Sequence, residues 1–387
     1  YNDKRNECQQ TAVRFRFMRG ETTMANCRLM SKEQDYQKLH LKKDAVELWE
    51  DGKRDDDRKG AVEWWYFDAI LDDGSKIAAC YSTKIQPFMN QSGTHPCLKF
   101  DLTTPDGKQI SKRVTKFPKD QISFSKERCD VRWGENCFTG DLHTYHIKAA
   151  PVDGYGFDVT LESESSPWRG ETGHIGFEQN DEKYFTWLCV VPRGKVTGTM
   201  TIGGQQHKIT GSGYHDHQWG NTTQFEFLNH WLWSRQGTND HSLLVFDFVM
   251  NEHYGYKRIP LVFVEDKNGK VIFQSSDNVQ CEIEEESYQA DCETNFPKVT
   301  KYTFHDDDKT LHYTLIVKQI LDSRYIYKQM PFFLRGLFHG TKPKYGRYLA
   351  HGSFDLEQNG TVIHDESDLI YEFAYVGEEY KKYMETR

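Results

Sequence analysis

The densest concentration of reactive side chains lies in Gly211-Ser212-Gly213-Tyr214-His215-Asp216-His217-Gln218-Trp219-Gly220-Asn221. In an extended chain, side chains alternate between two faces. His215, His217 and Trp219 then share one face, and Tyr214, Asp216 and Gln218 share the other. A second reactive position is Asp247, a lone carboxylate inside the apolar run Leu243-Leu244-Val245-Phe246-Asp247-Phe248-Val249. A carboxyl surrounded by hydrocarbon is desolvated, which disfavours the anion and raises its pKa. Such a group, kept neutral, can protonate a weakly basic partner. The structural alternative is a pairing of Asp247 with Arg235 or a backbone amide. His215 and His217 could also chelate a metal, with His230 as a third ligand, but local spacing fixes no third ligand and no metal is expected. There is no GxSxG elbow, no glycine-rich phosphate loop and no dinucleotide fingerprint. Serine hydrolysis, phosphoryl transfer and hydride transfer therefore lack their usual apparatus, and no cofactor is expected.

Aromatic residues crowd these positions. Glu63-Trp64-Trp65-Tyr66-Phe67-Asp68 and Asn229-His230-Trp231-Leu232-Trp233-Ser234-Arg235 both set rings beside charged or hydrogen-bonding groups. Trp65, Tyr66, Tyr214, His215, Trp231, Trp233 and Arg235 are the candidate substrate contacts, and Asp247, His217, Asp216 and Trp219 the candidate catalytic groups. An aromatic face stabilises a cation by up to about 2 kcal/mol when water is excluded, which suits a reaction that builds positive charge on carbon. Tryptophans in β proteins also serve as plain core filler.

The elements that position these residues read as strands. The 387-residue chain contains 21 Tyr, 24 Phe and 9 Trp together with 29 Gly, a profile of β structure rather than helix. Val62 to Ala69 and Ile77 to Ile85 form a hairpin around Asp72-Asp73-Gly74. Similar turn signals recur at Pro105-Asp106-Gly107, Asp153-Gly154, Gly203-Gly204, Asn268-Gly269 and Asn359-Gly360. This density of short strands predicts barrels or sandwiches rather than βαβ units. The expected organisation is a polar N-terminal extension over 1–58, a first β domain over 59–195 and a second over 196–387, with the boundary near Pro192-Arg193-Gly194. The charged run 51–60 reads as a solvated linker. A short helix is expected over Glu378 to Met384. The apolar segment Met330 to Phe338, followed by Lys342, Lys344 and Arg347, reads as a core-sealing connection, with a lid or contact with a membrane surface as alternatives.

A net charge of −9, from 58 acids and 49 bases, argues against nucleic acid as the partner. No apolar run is long enough to span a membrane. The nine cysteines show no CxxC spacing and read as reduced thiols, which points to the cytoplasm. An exported form with a removed leader and a Cys129–Cys137 or Cys281–Cys292 bridge stays open.

Glu63-Trp64-Trp65-Tyr66, Gly213-Tyr214-His215-Asp216-His217-Gln218-Trp219-Gly220 and Trp231-x-Trp233-x-Arg235 together resemble the hydroxyneurosporene synthase family (carotenoid 1,2-hydratase, CrtC-like). That family also takes in AttH-like proteins, kievitone hydratase-like proteins and Diels–Alderase-type pericyclases. The resemblance runs over about residues 60 to 376. It implies two tandem lipocalin-like antiparallel β-barrels, no organic cofactor and a small hydrophobic substrate of terpenoid, carotenoid or polyketide kind. It also implies catalytic roles for His217, Trp219 and Asp247. The expected chemistry is acid-catalysed hydration of a C=C bond, or the reverse. Asp247 or Asp216 would donate the proton, Trp219, Trp233 and Tyr214 would line the cation, and His217 would handle the water. A pericyclase or isomerase, and a carrier of lipophilic ligands, are the alternatives.

Overall fold

The computed structural model describes residues 25–85, 88–332, 335 and 342–377. They form two curled antiparallel sheets, as the sequence pattern predicts. In the first, eleven strands follow one another in a continuous path. At its centre lie Val62–Leu71, Gln205–Gly220 and Lys183–Ile202, hydrogen-bonded in that order. His174–Phe177 joins the end of Lys183–Ile202 and pairs with Cys27–Leu29. The second sheet has nine strands, with Leu228–Gly237 between His241–Met250 and Thr361–Tyr375 near its centre.

Each sheet curls around its own core. Phe67, Phe100, Trp133, Tyr145 and Leu188 fill the first, and Val245, Tyr302, Phe304 and Tyr371 fill the second. A third apolar cluster lies between the sheets, where Trp187 and Tyr214 meet Trp233, Phe246, Phe248 and Leu261. The central strands are therefore apolar on both faces, because one face packs on the curl's own core and the other on the neighbouring sheet. In His241–Met250, for instance, Leu243 and Val245 face the second core while Leu244, Phe246 and Phe248 face the junction.

Two expectations about organisation are corrected. The change from one sheet to the other falls at 221–227, not near Pro192, because both Lys183–Ile202 and Gln205–Gly220 belong to the first sheet. The segment 25–58 is not a free extension, and 51–60 is not wholly solvated. Asp51, Lys53 and Asp55 are buried. Glu63 binds this stretch by accepting the backbone N–H groups of Arg54 (2.6 Å) and Asp55 (3.0 Å). Carboxylates accepting backbone N–H groups can hold a charged loop indoors, and charge density alone does not reveal it. The expected C-terminal helix over Glu378 to Met384 lies outside the described residues, as do 333–334 and 336–338 of the expected connection. Eight described cysteines are free. Among the described residues, no helix is long and apolar enough to cross a membrane.

Candidate functional site

The alternation expected for the His-Asp-His stretch is present, and it separates the two chemistries. Gln205–Gly220 pairs with Val62–Leu71 so that His217 lies opposite Trp65, Asp216 opposite Tyr66 and Gln218 opposite Trp64. His215, His217 and Trp219 point into the first curl, whereas Tyr214, Asp216 and Gln218 point towards the second sheet.

Inside the first curl the two imidazoles meet two carboxylates, all fully buried. His217 Nε2 is 2.8 Å from Glu63 Oε1, and His215 Nε2 is 3.2 Å from Asp51 Oδ2. Tyr145 donates its hydroxyl to Asp51 Oδ2 at 2.6 Å, and Trp65 Nε1 donates to the Asp51 carbonyl. Trp65 also stacks on His217, with centroids 4.6 Å apart, and Trp219 tilts over its ring at 4.7 Å. The sequence places Asp51 in a charged run expected to be solvated, and no local periodicity reveals that it enters the first curl from so far along the chain.

The other face opens on a cavity of about 270 Å³ between the sheets. Trp64, Tyr66, Trp231, Trp233 and Phe246 supply its aromatic surface, and Asp216 and Gln218 its polar one. Asp216 is held from both ends: Oδ2 accepts from Tyr214 Oη (2.8 Å) and Trp187 Nε1 (3.1 Å), and Oδ1 from Gln218 Nε2 (3.1 Å). Burial pushes its pKa up to about 6, against the pull of these three donors and of His215, which favour the anion. At the far side stand Lys99, Asp101, Arg324, Tyr345, Arg347 and Glu372. Lys99 bonds Asp101 at 2.7 Å, and Arg347 reaches the same carboxylate at 3.2 Å. Burial lowers the Lys99 pKa to about 8, with Asp101 opposing.

Asp216, His217 and Asp247 do not share the single chamber expected from sequence; each has a different setting. Asp247 points into the second curl beside Val245, accepts the Tyr302 hydroxyl at 2.8 Å and lies 3.4 Å from Arg258 Nε. It is thus paired, though with Arg258 rather than Arg235. Arg235 instead crosses to the first sheet and binds Asp68, its Nε 2.6 Å from Oδ1. His230 stacks on Phe373 within the second sheet and takes no part with His215 and His217, so that candidate metal trio is not formed. Of the expected ligand contacts, Tyr66, Trp231 and Trp233 line the cavity, whereas Trp65 and His215 lie in the first curl. Trp64 takes the wall position instead of Trp65. The parity of the Asp216 strand would have identified Trp64 once its antiparallel partner was known.

Comparison with known proteins agrees with this architecture. Residues 52–327 match the AttH-like family, and the chain belongs to it. The ceramide-binding protein svf1 of Schizosaccharomyces pombe is 23% identical over 300 residues, covering 72% of this chain and 76% of the relative. Among solved structures, an AttH protein of Nitrosomonas europaea superposes with a TM-score of 0.58 at 15% identity, over 85% of this chain and 96% of that one. Kievitone hydratase of Nectria haematococca gives 0.55 at 13% identity, over 86% and 93%. CghA with Sch210972 gives 0.56 at 14%, over 81% and 88%. At these identities the structural matches establish the fold.

Proposed function

We propose that this AttH-like protein takes a small lipophilic molecule into the cavity between its sheets and carries out acid–base chemistry on a C=C bond there, as a hydratase or dehydratase. Asp216 is the proton donor and acceptor. The observation that carries this reading is a buried carboxyl held by three hydrogen-bond donors in a cavity with aromatic rings in its walls, where burial pushes its pKa up to about 6. Protonating an alkene leaves the more substituted carbon positive, and the faces of Trp64, Trp231 and Trp233 suit that charge. Water then adds to the cation, and loss of its proton regenerates the acid. His217 and Asp247 lie outside the cavity and have no part in this scheme. The volume lies just below the roughly 300–1,000 Å³ typical of ligand sites, which favours a compact terpenoid or polyketide over a full carotenoid.

A panel of such alkenes incubated with the protein in D₂O should show deuterium incorporation by mass spectrometry. Asp216→Asn should abolish it while still quenching tryptophan fluorescence on binding. Wild-type-like incorporation by the variant would refute the assignment. A second reading, binding without conversion, is favoured by the relative named for ceramide binding and by the ionic groups that line the same cavity as the aromatic rings. Saturable binding with no deuterium uptake by the wild type would select it.

A further inference from the structure

The polar cluster inside the first curl lies on the opposite face of the strand from Asp216 and is not used in the proposed chemistry. Three of its members come from separate parts of the chain. Asp51 ends the short 3₁₀ helix Leu48–Asp51, Cys129 precedes the Asp130–Trp133 strand, and His215 lies on the central strand. Each is buried, and each offers one ligand atom within 4.8 Å of the other two.

The hydrogen bond from Nδ1 leaves Nε2 as the ring nitrogen of His215 that can act as a ligand. His215 Nδ1 lies 2.9 Å from the Tyr66 carbonyl oxygen, which can only accept, so Nδ1 carries a proton. In the neutral ring Nε2 then presents a lone pair towards Asp51 Oδ2, itself an acceptor, 3.2 Å away. Metal-binding imidazoles commonly donate their non-ligating N–H to a backbone carbonyl, as His215 Nδ1 does to Tyr66. The 3.2 Å separation is close to the edge of a tetrahedron built on bonds of about 2.0 Å, roughly 3.3 Å. Independently, Asp51 Oδ1 and His217 Nδ1 are buried without a hydrogen-bond partner, facing each other at 3.4 Å. His217 in turn is anchored to Glu63 through Nε2.

We propose that Asp51, Cys129 and His215 bind a divalent transition ion of the zinc type, with the Glu63–His217 pair bracing the second oxygen of Asp51. A mixed sulfur, nitrogen and oxygen set suits a borderline ion rather than magnesium or calcium. Charge balances: one thiolate and one carboxylate meet the two positive charges of the ion. Binding releases the Cys129 proton and any proton on His215 Nε2. The ion would tie the loop carrying Asp51 to the sheet behind it.

The full chain, denatured and refolded with excess Co²⁺ and then desalted, should retain about one equivalent of metal and show a near-ultraviolet sulfur-to-cobalt charge-transfer band. The Cys129→Ser variant should lose that band. Zinc-loaded wild type should melt at a higher temperature than chelator-treated protein. Wild-type protein that retains less than about a tenth of an equivalent would overturn the proposal, whether or not the variant folds. So would ¹⁵N spectra of the zinc-treated chain showing both ring nitrogens of His215 protonated, because a proton would then sit where the ion is assigned.

Discussion

Burial and hydrogen bonding pull the proton of Asp216 in opposite directions. Burial favours the neutral acid, and Gln218, Tyr214 and Trp187 favour the anion, leaving a pKa of about 6. If the protonated form starts the reaction, turnover should fall as pH rises through about 6. Tyr214→Phe removes one donor to the anion, so this limb of the pH–rate profile should move to higher pH. A profile unchanged by Tyr214→Phe would show that another group sets it. The same shift has a stability consequence. Because the folded pKa is raised from 3.8, the native state holds the proton more tightly than the unfolded chain. The contribution is fully present below pH 3.8 and is lost as pH rises to about 6. Wild type should therefore lose stability relative to Asp216→Asn across that window, and melting curves of the two proteins at pH 4, 5 and 6 check the sign.

At the scale of the element, Gln205–Gly220 serves two compartments because a strand alternates its side chains. That double duty requires the strand to lie close to both neighbours, and its glycines permit it. A Cβ at Gly220 would stand 2.5 Å from the Tyr184 carbonyl oxygen and 3.1 Å from the Phe185 Cα, both belonging to a backbone that cannot easily yield. Gly211 is similarly pressed against the Ile70 carbonyl oxygen. Gly220→Ala should destabilise the fold by about 1–3 kcal/mol, as overpacking does, read as a lower urea midpoint at unchanged slope. An unaltered midpoint would mean that the two strands can separate slightly without cost.

For the molecule as a whole, the two sheets are joined by apolar packing and by a few buried ionic contacts. Arg235 on the second sheet binds Asp68 on the first, with side chains 6% and 3% exposed. Arg347 likewise crosses to Asp101 at the cavity. Removing one partner of a buried pair strands the other charge, at a cost of about 3–5 kcal/mol. Asp68→Asn should lower stability by that order and weaken ligand binding, because Tyr66, which lines the cavity, donates to Asp68 at 3.1 Å. Asp68→Leu combined with Arg235→Met should recover most of the lost stability, since neither member of this pair is then left as a buried unpaired charge. Urea denaturation of single and double variants measures both effects.

Aromatic and glycine content and the recurrent turn residues determined that the chain forms antiparallel β-sheets. The spacing of the His-Asp-His stretch also determined which of its side chains would share a face. Those properties are local, set by the two-residue period of a strand and the backbone demands of tight turns. The family resemblance, carried by residues 63–66 and 213–220, extended the reading to two curls in tandem. The partners across space depended on the tertiary structure alone. Pairing of Val62–Leu71 with Gln205–Gly220 decided that Trp64, not Trp65, faces the cavity. The return of a charged loop decided that Asp51 meets both imidazoles. The curl of the second sheet gave Asp247 to Arg258 and Tyr302, whereas Asp216 lines the cavity. Register and loop closure join residues from eleven to more than a hundred and fifty positions apart, and no short-range periodicity carries that information.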